Sequence, residues 1–154
     1  MDYVKEIERL KARIVECEQI IKETSVPIIS SIVDNTILVP VVGYAGSERF
    51  ELIRTRVLEY LDKNRHVNCA VFDFTGADLN KAKDAQLNVL AVELDMLNST
   101  LKLMGVRPIS VGFNPHIVRE IVAAGIQMEF ESYINFKTAL KVLLKEEGRF
   151  LSSI

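Results

Sequence analysis

Most residue patterns that announce catalysis are missing from these 154 residues. The two histidines, His66 and His116, stand at element boundaries without a Cys, His or acidic neighbour at ligand spacing, so no metal centre is readable. The glycines at 43 and 46 fit neither the dinucleotide nor the P-loop pattern. There is no nucleophile elbow and no Cys-His pairing that can be picked out. A formal net charge of -2 gives no electrostatic footprint for nucleic acid. No apolar run approaches the length of a membrane span, and the charged N-terminal stretch lacks the apolar centre of a signal peptide. Only two cysteines occur, Cys17 and Cys69, which reads as reduced thiols and not as a disulfide framework. These absences lead to expectations of a cytoplasmic chain with no cofactor, no metal, no nucleic acid and no membrane partner.

What is present is ordinary globular material, 49% apolar and 26% charged, in a length suited to one domain with a real core. Residues 1–25 predict a helix. Tyr3, Ile7, Leu10, Ile14, Cys17 and Ile21 alternate spacings of four and three, the seam of a coiled coil. Three heptads are marginal alone, so the helix either lies on its own domain or pairs as a homodimer. In a parallel pair Cys17 faces its twin, which oxidation can test. Pro27 breaks the helix. Strand-like runs follow at Pro27–Val33 and Thr36–Val42, with Asp34-Asn35 suited to a two-residue hairpin turn. Gly43–Gly46 reads as a turn and Ser47 as the cap of a helix reaching Lys63.

The next strand, Val67–Phe74, is rich enough in β-branched and aromatic residues to be covered on both faces. A helical pattern then runs from Lys81 to Met104. Leu87, Leu90, Leu94, Leu97, Leu101 and Met104 form one stripe. Val89, Val92, Met96 and Leu103 form a second, which calls for wider burial or a partner. Gly105 caps it, Arg107–Phe113 is a strand, and Asn114-Pro115 opens a short helix to Gly125. Gln127–Glu131 reads as a last strand and Ile134–Glu146 as a closing helix, within a domain of 26–146 and a tail of 147–154. An opening antiparallel hairpin followed by β-α-β crossovers gives an α/β fold, a mixed sheet packed with helices.

The chemistry-bearing stretch is Val71-Phe72-Asp73-Phe74-Thr75-Gly76. Its polar groups fall at the carboxyl end of a central strand, where open α/β sheets place functional loops. Asp73 with Lys81 or Lys83 suggests a phosphoryl-accepting receiver site. The acidic pair that would hold its cation is absent at Gly43-Tyr44-Ala45-Gly46. A structural role, with Asp73 and Thr75 bonding the turn's own backbone, is the stronger reading.

Ile37-Leu38-Val39-Pro40-Val41-Val42-Gly43 with Ser47-Glu48-Arg49, the Asp73-Phe74-Thr75-Gly76 turn, and Leu101–Gly105 leading to Val111-Gly112-Phe113-Asn114-Pro115 together resemble STAS domains. Ala124-Gly125-Ile126 and Thr138-Ala139-Leu140 match the closing motifs of that family. The resemblance covers about residues 26–145 and is nearest to RsbR-type scaffolds of the stressosome. It implies a STAS-like fold and an anti-sigma-factor antagonist in bacterial stress signalling. Such scaffolds assemble with other STAS proteins, hold a serine/threonine switch kinase, and are not enzymes.

Three departures qualify what carries over. The family's phosphoacceptor Ser or Thr opens the helix after the Thr-Gly turn. Counting forward from Gly76 reaches Ala82, counting back from Gly105 reaches Asn88, and neither supplies a hydroxyl. A second phosphorylated Thr of some scaffolds corresponds to Glu120, whose carboxylate imitates part of a phosphate's charge or is simply a solvated helix residue. Family scaffolds often carry a large N-terminal sensor domain, whereas the residues ahead of the STAS-like stretch here read as the heptad helix. The expected role is a scaffold without the usual phosphoacceptor, using Asp73, Thr75, Gly76 and the region after them for docking. Two alternatives stay open. One is a small-molecule or nucleotide-binding domain using the 73–83 loop, and the other is an accessory subunit that only oligomerises.

Overall fold

The computed structural model describes residues 2–24, 26–44, 46–78, 84–123 and 131–148, and the side chains of these except 22–24, 44, 84–88 and 120. Its elements are α1 (Tyr3–Thr24), β1 (Ile29–Ser30), β2 (Thr36–Pro40), β3 (Gly43–Tyr44), α2 (Ser47–Lys63), β4 (Cys69–Asp73) and β5 (Ala77–Asp78). There follow α3 (Asp84–Leu103), β6 (Arg107–Val111), α4 (Pro115–Ala123), β7 (Glu131–Tyr133) and α5 (Phe136–Glu146).

Five strands form the main sheet in the order β1-β2-β4-β6-β7, antiparallel only between β1 and β2. Because each crossover moves one strand further in the same direction, right-handed connections carry α2, α3 and α4 to one face. There Phe50, Ile53, Val57 and Leu61 of α2, Leu90, Leu94, Leu97 and Leu101 of α3, and Ile117 and Ile121 of α4 close over Ile37, Val39, Ala70 and Phe72. The alternate residues Cys69, Val71, Ile109 and Val111 meet Leu140, Leu143 and Leu144 of α5 on the other face. Cys69 is packed in this core, and that burial pushes its thiol up to about 11.

Several boundaries differ from those expected. The hairpin is present, but its strands are shorter and its connection is five residues long. Ser31 bonds Val33 through its hydroxyl, which turns Val33 into the α5-side core, and Asn35 takes a left-handed φ of 62°. Gly43–Tyr44 is a strand and not a turn, since it pairs in parallel with Ala77–Asp78. Ser47 is the first residue of α2 and not its cap. Gly46 holds the cap position with no side-chain bond. β4 starts at Cys69, two residues later than Val67, because Asn68 N–H and Cys69 N–H both turn to the Asn35 carbonyl. β6 stops at Val111, where Gly112 takes a positive φ. The last strand is Glu131–Tyr133, and residues 127–130 lie outside the described residues, as do 81–83 at the expected start of α3. α5 begins at Phe136 because Asn135 caps it through Thr138 N–H at 2.8 Å. Asn114 caps α4 as expected, accepting from Ile117 N–H at 2.9 Å.

One ion-pair group fastens the far edge. Arg107 reaches both Glu131 oxygens at 2.6 Å and Glu146 at 2.7 and 3.1 Å, and the Tyr133 hydroxyl donates to Glu131. Strand β7 and the end of α5 are thereby held to β6. Burial would raise the Glu131 carboxyl, but the bonds from Arg107 and Tyr133 outweigh it and leave it below its ordinary 4.5. The bonds from Arg107 hold Glu146 below that value too. Groups with depressed folded values contribute stability that is complete above 4.5 and is lost as pH falls through the lowered values. Arg107 is 38% exposed, so screening limits the gain. Arg107→Met is expected to cost about 1 kcal/mol near neutral pH. Urea titrations should find that difference shrinking as both carboxyls protonate. An equal difference at low pH would mean that packing, and not charge, carries it.

Candidate functional site

The candidate site is the corner where β4 ends. Asp73 is the last residue of the middle strand, paired to Pro40 on one side and Val111 on the other. Its Oδ1 accepts from Thr75 N–H at 2.9 Å and from the Thr75 hydroxyl at 2.6 Å. That is the self-bonded turn read from the sequence. Neighbouring backbone completes the frame. Val41 N–H donates to Asp73, Phe74 N–H to Val111, Ala77 N–H to Phe74, and Gly43 N–H to Gly76, at 2.8–3.0 Å. Phe74 points into the core between Phe50 and Phe113, with ring centres 6.3 and 4.9 Å away. One strand end therefore holds the loops after β2, β4 and β6 together.

Gly112 shows how closely they meet. A Cβ there would lie 2.4 Å from Thr75 Oγ1, 2.6 Å from Thr75 N and 2.9 Å from Asp73 Oδ1. Its φ of +84° also favours glycine. In the sequence Gly112 stands out only as part of a family motif, with no contact attached to it. The signal was there in the Val-Gly-Phe step at a strand end, which marks close backbone approach.

Arg49, at the start of α2, donates to the Val42 carbonyl and so joins the loop after β2 to that helix. Arg54 of α2 and Glu93 of α3 form an ion pair with side chains only 16% and 13% exposed. It fixes the rotation of α3 about its axis. With Leu90, Leu94, Leu97 and Leu101 turned to the core, Val89, Val92, Met96 and Leu103 face outward, 44–91% exposed. The second stripe is thus uncovered by the chain's own described residues. Val118 and Val122 of α4 are exposed as well.

Of the expected site residues, Asp73, Thr75 and Gly76 are brought together. Asn88 lies in α3 and Glu120 in α4, outside the corner. Ala82, like Lys81 and Lys83, lies outside the described residues. No group of three or more His, Cys, Asp or Glu side chains clusters at metal-binding distance among the described residues. A cavity of about 260 Å³ opens between Val26, Ile28 and the α2 residues Arg56, Glu59, Tyr60 and Lys63, and the corner residues do not line it. No helix among the described residues is long and apolar enough to cross a membrane. Chemically, the corner offers a polar turn in which Asp73 Oδ1 is bonded to Thr75, beside an apolar helix face. That combination suits contact with another macromolecule.

No protein-family model matches the sequence, and no curated protein matches it. Solved structures match the fold. A Ser-to-Glu variant of RsbS from Moorella thermoacetica superposes with a TM-score of 0.62 at 13% identity, over 81% of this chain and 99% of that one. A chain of the stressosome, described as a signal integration and transduction hub, gives 0.50 at 18% identity over 80% and 100%. The murine Slc26a9 anion transporter gives 0.53 at 15% identity over 74% of this chain and 18% of the transporter. At such identities the likeness is one of fold. The STAS-like mixed sheet expected from the motifs is the fold of this chain.

Proposed function

We propose that, on this STAS-type fold, the chain serves as a non-enzymatic regulatory scaffold in bacterial stress signalling, an anti-sigma-factor antagonist relative working in the cytoplasm. It docks other STAS subunits and a serine/threonine switch kinase through the corner at Asp73–Gly76 and the helix beyond it. It does so without the usual phosphoacceptor.

The observation that carries this reading is the pairing of a closed polar corner with an open apolar face. Asp73 spends its Oδ1 on Thr75, which suits a fixed recognition feature better than a reacting group. Alongside, α3 leaves Val89, Val92 and Met96 exposed on the face opposite its buried leucines. Neither Ala82 nor Asn88 has a hydroxyl to phosphorylate, and Glu120 supplies a standing negative charge in α4.

Incubation with the cognate kinase and ATP, followed by affinity capture and mass spectrometry, tests the proposal. The kinase should be retained while peptides spanning the turn and α3 stay unmodified. Stoichiometric phosphate on Thr75, Ser99 or Thr100 would end the claim of a missing acceptor. A chain that captures STAS subunits but no kinase would be an accessory subunit instead.

A further inference from the structure

Helix α1 carries an exposed apolar stripe along its length. Residues 2–21 are all exposed, and the seam residues Tyr3, Ile7, Leu10, Ile14 and Ile21 are each 49–70% open to solvent. A 22-residue helix that exposes five such side chains and does not lie on its own sheet calls for a cover.

The identity of that cover can be read from the residues beside the seam. Spacing places Ile7, Ile14 and Ile21 at one core position of the heptad, a, and Tyr3, Leu10 and Cys17 at the other, d. β-Branched residues at every a, with leucine at the central d position Leu10, lean toward two parallel strands. The flanking g positions are Glu6, Arg13 and Ile20, and the e positions are Val4, Lys11 and Glu18. In a parallel, in-register pair each g residue meets the e residue five places further along the other helix. Glu6 then meets Lys11 of the second copy, and Arg13 meets Glu18 of the second copy. Both contacts are attractive, and symmetry repeats each of them. In an antiparallel pair at full overlap, Lys11 opposes Lys11 and Arg13 opposes Arg13, and both repel. Antiparallel registers that avoid this clash leave two seam residues uncovered. The present ion pairs within α1, Arg9 to Glu6 at 2.6 Å and Arg13 to Glu16 at 3.4 Å, join exposed side chains and exchange at little cost.

We infer that α1 pairs with α1 of a second copy as a parallel, in-register, two-stranded coiled coil, with Glu6–Lys11 and Arg13–Glu18 setting its direction and Cys17 facing Cys17. Both domains then leave the same end of the coil, so one assembly presents two corners and two α3 faces to a multivalent partner. The pairing does not depend on the kinase reading. A chain that dimerises in this way yet ignores the kinase overturns only the latter.

Sedimentation equilibrium of the full chain should give twice its 17.4 kDa mass. Ile14→Asp should return it to a monomer with an unchanged thermal melt, because Ile14, like the rest of residues 2–21, is exposed and does not enter the core. Lys11→Glu should weaken the dimer about tenfold, and adding Glu6→Lys should restore it to within about threefold. Diamide, which takes up the two thiol hydrogens as the disulfide forms, should join the copies through Cys17, and Cys17→Ser should abolish the link. A monomer throughout the micromolar range overturns the inference. So does a dimer indifferent to Ile14→Asp or to the charge exchange, and so does a dimer whose Cys17 thiols do not join.

Discussion

Gly112→Ala is expected to cost about 2–4 kcal/mol, a large share of the stability of a domain this size. Two penalties combine. A left-handed backbone with a side chain costs about 1 kcal/mol. Forcing a methyl to within 2.4 Å of Thr75 Oγ1 and 2.6 Å of Thr75 N adds overpacking of about 1–3 kcal/mol. Gly105 separates the two penalties. It also has a positive φ, 75°, but a Cβ there would meet nothing within 4 Å. Gly105→Ala should therefore lose only the first portion, about 1 kcal/mol. Urea denaturation of both variants settles the matter, and equal losses would mean that the three loops can spread at no cost. The damage from Gly112→Ala should also reach the function, since Thr75 and Asp73 must move to admit the methyl.

If the proposed docking holds, Val92→Glu combined with Met96→Lys should reduce affinity for the proposed switch kinase or STAS subunit on the order of 100-fold, the loss typical of central interface positions. Stability should change by no more than about 0.5 kcal/mol, because both side chains are exposed and a Glu followed by a Lys four residues later supports the helix. Titration calorimetry against the purified partner, beside a thermal melt, reads both quantities. Unchanged affinity would remove the outer face of α3 from the docking surface and leave the corner alone as its basis.

Much of this architecture was legible in the sequence because burial and periodicity act locally. The leucine stripe of α3, the Asn114-Pro115 start of α4 and the Asp73–Thr75 turn each follow from neighbours within a few residues. What escaped depends on contacts between distant segments. Nothing near Gly43 announces that it will pair with Ala77. Arg107, Glu131, Tyr133 and Glu146 become one group only after β6, β7 and α5 are assembled. The need for glycine at 112 likewise arises from the position of Thr75, 37 residues earlier (112 minus 75). Ser47 illustrates the opposite error, a good cap residue displaced because the chain turns one position sooner, at Gly46. The second stripe of α3 was visible as a pattern, but whether its own fold would cover it was decided only by the Arg54–Glu93 tie and the packing of the leucines.

The β1 margin of the main sheet has a consequence for how copies can join. β1 has only two residues, while its neighbour β2 has five. A rim this short gives an incoming strand almost no ladder of free amides and carbonyls to extend. Growth by adding strand to strand, the route to fibres and to swapped sheets, is thereby discouraged at that margin. Assembly at that side is thereby steered toward side chains on helical surfaces, which can be tuned residue by residue, and away from backbone, which accepts any sequence.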